Sequence, residues 1–88
     1  MTVLVDDPIW PAHGRLWAHL VSDADLAELH AFARAQSVPE RAFDRDHYDV
    51  PAEMIPRLVA AGAEQIGGKE LVRRLIASGL RVPARDRH

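Results

Sequence analysis

The stretch RLWAHLVSDADLAELHAFARAQ, residues 15–36, decides the predicted fold because its apolar spacing changes from that of a strand to that of a helix. Its first part, residues 15–21, is either a strand or irregular. A strand would place Trp17, His19 and Val21 on one face and the intervening residues on the other. From there the apolar residues recur every three to four positions, which indicates an amphipathic helix that ends before Pro39. A strand that leads into a helix is typical of an α/β protein.

The rest of the chain extends this alternation. We predict, in chain order, a buried strand over residues 2–5, a loop over 9–14, a strand with a loop or a loop alone over 41–49, a helix over 51–61, a short strand over 63–66, and a last helix that begins after the Gly67-Gly68 pair and ends at Gly79. The expected fold is a small α/β protein, with a single-layer sheet of three to four short, partly parallel strands and about three helices. One domain would span residues 1–80, and a disordered basic tail would span residues 81–88.

Composition excludes several classes of protein. The chain has 88 residues, of which 48% are hydrophobic and 27% charged, with a net charge of -2 and no cysteine. This balance argues against a disordered chain, and the lack of cysteine excludes disulfides and thiolate metal sites. The N-terminal apolar run is too short for a signal peptide and no window suits a membrane span, so we expect a cytoplasmic protein. A chain this short buries only a modest core, so a homo-oligomer is one of the expected alternatives.

Charge is uneven along the chain. Residues 67–88 carry six basic and two acidic side chains, while the rest of the chain is acidic. Such a basic end could contact nucleic acid, in which case the protein would be a nucleic-acid accessory protein. A solvated helix face followed by a frayed tail explains the same pattern, and we therefore do not expect nucleic acid as a partner.

Acidic and histidine side chains fall where α/β proteins place ligand sites. Asp6 and Asp7 follow the first predicted strand, and ligands bind beyond the carboxyl ends of strands in open α/β sheets. A carboxylate there suits a metal ion, although an Asp-Pro turn explains it equally well. His19, His30 and His47 are further candidate ligands. His30 falls on the apolar stripe of its helix, where a hydrogen-bonded core histidine is the usual alternative.

The densest polar segment is Asp46-His47-Tyr48-Asp49. If it is extended, His47 and Asp49 point to the same side and Tyr48 to the other. The pair is then either a metal ligand with its hydrogen-bond partner, or a general base with the group that orients it. The alternative is that Asp49 begins the following helix and His47 anchors a loop.

Two tryptophans, Trp10 and Trp17, flank a predicted loop that contains Arg15. Such a pair offers a stacking surface for a base or a protein partner. The two indoles could instead close the core of a small domain, and this is the interpretation that we favour from the sequence.

Several short motifs together resemble a known family. They are Val5-Asp6-Asp7, Gly14-Arg15, Trp17-x-His19-Leu20, Glu28-Leu29-His30, His47-Tyr48-Asp49 and Ala61-Gly62-Ala63. Their order and spacing over residues 2–76 are similar to those of a family of small bacterial and phage proteins called domain of unknown function 4031. The resemblance implies that the acids of the first strand, His19, His30 and the His-Tyr-Asp triplet form one signature, but it implies no activity.

Two functions account for these residues. The first is metal-dependent hydrolysis of a phosphoester or a nucleotide, an anionic substrate, with a divalent zinc, manganese or magnesium ion. Its predicted metal ligands are Asp6, His19, His30 and His47, and its predicted catalytic residues are His47, Asp49, which would orient His47, and Arg15, which would neutralise the substrate. The second is a non-catalytic interaction or oligomerisation module, whose His/Asp cluster is a structural hydrogen-bond network.

Overall fold

Within residues 2–82, which the computed structural model describes, six strands form one mixed sheet. They are β1 (Val3–Val5), β2 (Trp10–Ala12), β3 (Arg15–Ser22), β4 (Phe43–Asp44), β5 (His47–Pro51) and β6 (Glu64–Gln65). The order across the sheet is β4-β5-β3-β1-β6, and β2 pairs with β3. Among these described strands only β1 and β6 run parallel, since the other pairs are antiparallel. The chain is therefore an α/β protein with a mixed sheet.

Three helices complete the described part of the chain, in agreement with the predicted number. They are α1 (Leu26–Ala35), α2 (Ile55–Ala60) and α3 (Gly68–Ser78), and two short 3-10 turns lie at Glu40–Ala42 and Ala52–Met54. The Asp25 side chain caps α1 by accepting a hydrogen bond from the backbone N–H of Glu28 at 2.7 Å. Gly79 ends α3 with a φ of 83°, a left-handed conformation that glycine adopts without strain. No helix within residues 2–82 is long and apolar enough to cross a membrane.

The predicted strand number, three to four, was too low because hairpins formed where the sequence indicated loops. Strand β2 lies in the stretch predicted as a loop. His13 (φ 52°) and Gly14 (φ 74°) join it to β3 through a two-residue turn, whose left-handed conformations match the twist of paired strands. Pro11 is tolerated because β2 pairs on one side only, with β3.

The segment over residues 41–49 contains a second hairpin. Asp44 of β4 pairs with His47 of β5 around a turn at Arg45 and Asp46, and Arg45 has a φ of 60°. Of the two alternatives predicted for this segment, a strand with a loop is the one observed, and it contributes two strands. As a consequence, residues 47–49 are extended and their side chains alternate between the faces of the sheet.

The two faces of the sheet are covered differently. One face packs against α1 and α2 in the larger core, whose fully buried members include Val5, Leu20, Leu29, Val50 and Leu58. The opposite face contacts α3 through a smaller cluster of four buried residues, Leu4, Val21, Leu71 and Leu75. Burying a leucine side chain stabilises the fold by about 1.5–3 kcal/mol, so both clusters contribute substantially. Next to the smaller cluster, the same face carries polar side chains.

The predicted domain boundary at residue 80 stays a prediction. Residues 83–88 of the predicted tail lie outside the described residues. The first two residues of that tail, Arg81 and Val82, are described, and both contact Asp46.

Candidate functional site

Two histidines and an aspartate meet on the face of the sheet that α3 partly covers. His19 of β3 and Asp49 of β5 are direct cross-strand partners, and His47 lies two residues before Asp49 on the same face. One potential ligand atom from each of the three residues lies within 4.8 Å of the others. The imidazole rings of His19 and His47 are edge to face, with their centroids 4.9 Å apart. We call these three residues the His-His-Asp cluster.

Both oxygens of the Asp6 carboxylate contact His19. Its Oδ2 lies 2.8 Å from His19 Nδ1, and its Oδ1 accepts the backbone N–H of His19 at 2.7 Å. The backbone N–H of Asp6 also donates to the His19 carbonyl, which extends the pairing of β1 and β3 by one residue. Asp6 is buried, and the ring nitrogen that it contacts is Nδ1. The other ring nitrogen, Nε2, is thereby left for a ligand. Asp6 is thus placed to orient His19 rather than to join the cluster.

The hydrogen bond that the Asp6 carboxylate accepts from His19 Nδ1 raises the pKa of His19 above its usual value of 6.5. Burial of the ring opposes this rise, and the negative charges of Asp6, Asp49 and Asp46 add to it. A metal ion requires the neutral imidazole, so it must compete with a proton for His19.

His47 lies between two carboxylates. Its Nδ1 is 2.7 Å from Asp46 Oδ1, and its Nε2 is 3.0 Å from Asp49 Oδ1. Asp46 is fully buried, and its other oxygen accepts the backbone N–H of Val82 at 2.8 Å and lies 3.5 Å from the Arg81 guanidinium. His47 and His19 therefore share one arrangement, in which a buried carboxylate contacts Nδ1 and Nε2 is directed elsewhere.

No role was predicted for Asp46 from the sequence. Its position next to His47 was the available signal, but a carboxylate in a two-residue turn is usually exposed. This one is buried because the chain returns at Val82 to cover it.

His30 lies on the opposite side of the sheet from the His-His-Asp cluster. Its Nδ1 is 2.6 Å from the Tyr48 hydroxyl, and its ring packs edge to face against Phe43. Neighbouring residues of a strand point to opposite faces, so Tyr48 and His47 contact different layers. Burial raises the pKa of the Tyr48 hydroxyl, which keeps it protonated. Of the predicted ligands, the structure brings together His19 and His47 and keeps His30 apart.

Arg15 lies near the cluster without touching it. Its guanidinium pairs with Glu53 at 3.0 Å, and both side chains are exposed. Arg15 lines a cleft of about 490 Å³ together with Asp49, Trp10, Trp17 and Arg41, and we call this the tryptophan cleft. A smaller cleft, of about 190 Å³, reaches the cluster from the α3 side and is lined by His19, His47, Leu71, Leu75 and Arg81, among others.

The donor atoms of the cluster suit a divalent transition metal. Two imidazoles and one carboxylate are a frequent ligand set for catalytic zinc and for other first-row metals, and they leave positions for water or substrate. Carboxylates that contact Nδ1 of ligating histidines fix the ring orientation and the tautomer. Asp6 and Asp46 stand in those positions.

Comparisons with known proteins give a family but no activity. Searches of curated proteins and of solved structures found no significant match to the chain. A family model described as "Protein of unknown function (DUF4031)" matches residues 3–78, which is most of the 88-residue chain. The match agrees with the resemblance found in the sequence motifs. The chain therefore belongs to the DUF4031 family.

Proposed function

We propose that this protein is a metal-dependent hydrolase of a phosphoester or a nucleotide, whose divalent ion is held by His19, His47 and Asp49. One observation carries the proposal: both imidazoles are contacted at Nδ1 by a buried carboxylate, at 2.8 Å from Asp6 and 2.7 Å from Asp46. Each carboxylate accepts the Nδ1–H and fixes the ring, so that Nε2 is the atom left for an ion. At His47 the ion would replace the proton that Nε2 shares with Asp49, 3.0 Å away. Such carboxylate–histidine pairs prepare both rings for ligation.

The spacing of the cluster is compatible with an ion after small side-chain rotations. Ligand atoms at about 2.0–2.1 Å from a tetrahedral zinc ion are about 3.3–3.4 Å from one another. The potential ligand atoms of the cluster already lie within 4.8 Å of one another. The contact between His47 Nε2 and Asp49 Oδ1, now 3.0 Å, would be replaced by bonds from both atoms to the ion. The two imidazole donors favour zinc over manganese and magnesium, which prefer oxygen ligands.

The candidate ligand set and its surroundings support a hydrolytic role. A metal ion held by three protein ligands supplies an activated water and polarises the bond that is cleaved. Asp49 reaches both the cluster and the tryptophan cleft, where Arg15 and Arg41 offer positive charge to an anionic substrate. In this proposal Arg15 contacts the substrate and not the ion, because it lines the cleft and is not part of the cluster.

A second candidate function is that of a non-catalytic interaction or oligomerisation module. The hydrogen bonds of Asp6 with His19, and of His47 with Asp46 and Asp49, pair these groups without an ion. A fully satisfied polar network specifies one arrangement of a small core. In that case the cluster is structural, and a chelator leaves the melting temperature unchanged.

The experiment that tests the hydrolase is a turnover assay on untagged protein. The protein is stripped with a chelator, reloaded with zinc, manganese or magnesium, and assayed with bis(p-nitrophenyl) phosphate and with nucleoside phosphates. We expect turnover that needs added metal, is lost in Asp49→Ala, and persists in the matched control Asp7→Asn, whose exposed carboxylate lies outside the cluster. If no ion supports turnover, and the chelator does not change the melting temperature, the hydrolase is rejected in favour of the structural network.

A further inference from the structure

The indoles of Trp10 and Trp17 form a stacked pair at the wall of the tryptophan cleft. Their centroids are 5.9 Å apart with 23° between the ring planes, and the two residues are cross-strand partners on β2 and β3. The Trp17 indole N–H donates to the carbonyl of Ala12 at 2.8 Å, which fixes this ring on the hairpin. Both tryptophans are only partly buried and line the cleft. A flat aromatic surface is therefore open to a ligand.

The same cleft carries positive charge near this surface. Arg15 and Arg41 line it, and both are exposed. Arg15 is paired with Glu53. Arg41 forms no ion pair with any residue of the described range 2–82. Guanidinium groups bind phosphate oxygens through paired, charge-assisted hydrogen bonds. The cleft thus combines a stacking surface with cations that suit a phosphate.

We propose that the tryptophan cleft binds a mononucleotide, with its base on the indole pair and its phosphate at Arg15 and Arg41. The cleft volume of about 490 Å³ lies in the range typical of small-molecule sites. Stacking on an aromatic side chain tolerates any base, so the cleft recognises the class of ligand and not one base. The inference deepens the proposed function and rests on it for the reaction, because Asp49 of the His-His-Asp cluster lies in the wall of the cleft.

Binding can be followed by the protein's own fluorescence. The chain contains two tryptophans, and both lie in this cleft. Metal-free protein in chelator is titrated with adenosine 5′-monophosphate, with adenosine and with ribose 5-phosphate, using excitation at the red edge of the indole absorption. We expect saturable quenching by the nucleotide. Adenosine lacks the phosphate contact and ribose 5-phosphate lacks the base contact, so each should bind with a dissociation constant on the order of tenfold larger.

Arg41→Ala removes the proposed phosphate contact and should leave the fold intact, because the Arg41 side chain is exposed. We expect it to weaken the nucleotide about tenfold and to leave adenosine unchanged. The matched control is Arg73→Ala, which removes an exposed arginine from α3, outside the cleft. Trp10→Phe, followed by calorimetry, should weaken adenosine and the nucleotide alike.

Three results would overturn the inference: no saturable binding of the nucleotide, equal affinity of Arg41→Ala and wild type for it, or tighter binding of a single-stranded oligonucleotide than of the mononucleotide. Zinc uptake is measured on the same preparation. Zinc uptake without nucleotide binding rejects this inference and leaves the proposed metal site in place. Nucleotide binding without zinc uptake supports the cleft and rejects the metal site.

Discussion

His19 and Asp49 are direct cross-strand partners on β3 and β5, and this pairing is what builds the candidate metal centre. Strand β5 adds His47 on the same face, and Asp6, the residue directly after β1, contacts His19. Strands β3 and β5 thus bring the His-His-Asp cluster together, and the residues Asp6 and Asp46, which flank strands, add the carboxylates that contact its histidines. The rigidity of paired strands favours a site of fixed geometry.

Asp6→Asn should lower the affinity for zinc about 10–100-fold. An asparagine oxygen can still accept the backbone N–H of His19, so the fold is kept. Its amide group would face His19 Nδ1 as a donor, which moves the ring proton to Nε2 and blocks that atom as a ligand. Competition with a chromogenic chelator measures the affinity. Asp7→Asn is the control, and equal affinities of Asp6→Asn and wild type would refute the supporting role.

Asp46→Asn should reduce both zinc affinity and stability. Asp46 is fully buried, and it contacts His47 Nδ1 and the backbone N–H of Val82. Loss of a charge-assisted partner in a buried position costs about 1–3 kcal/mol of unfolding free energy. Urea denaturation measures that loss. The control is Asp44→Asn, a partly exposed residue in the same hairpin, and a stability of Asp46→Asn equal to that control would contradict the prediction.

Tyr48→Phe should leave zinc binding unchanged and lower stability by about 0.5–1.5 kcal/mol. The substitution removes the hydroxyl that lies 2.6 Å from His30 Nδ1, on the face of the sheet opposite the cluster. Thermal melting and zinc titration separate the two effects. A loss of zinc affinity as large as that expected for Asp6→Asn would show that His30 belongs to the metal site after all.

Stability in acid should depend on Asp23. Burial acts to raise the pKa of Asp23, but the hydrogen bonds from the Thr2 N–H and from Arg74 outweigh it and hold this pKa below its usual value of 3.8. A lowered pKa in the folded state means that the unfolded state binds more protons. The stabilisation is therefore present above pH 3.8 and is lost as the pH falls through the folded-state pKa. Urea denaturation across this range should show the loss in wild type and not in Asp23→Asn.

Much of the site could be predicted from strand periodicity. Alternation places Trp17, His19 and Val21 on one face, and it places His47 and Asp49 together with Tyr48 opposite, as the structure shows. The helical stripe around His30 was also visible, but a stripe does not say which face of the sheet its helix covers. Packing of the whole chain decides which face of the sheet helix α1 covers. That face is the one opposite His47, and His30 is therefore kept apart from it.

The hairpins were harder to predict because they depend on left-handed turn residues. His13 and Arg45 adopt positive φ values, and neither residue type signals a turn as glycine or asparagine does. A proline at position 11 further argued against a strand, although an edge strand tolerates it. The burial of Asp46 depends on contact with Val82, which lies 36 residues away, so the residues next to Asp46 in the sequence do not predict it.

The proposed metal centre is tested most directly by the zinc stoichiometry of untagged protein, measured by calorimetry and by native mass spectrometry after chelator treatment. We predict one ion per chain in wild type and its loss in each of His19→Ala, His47→Ala and Asp49→Ala, while circular dichroism shows that the variants remain folded. Wild type that takes up no ion, or folded single variants that bind zinc as wild type does, would contradict the metal centre.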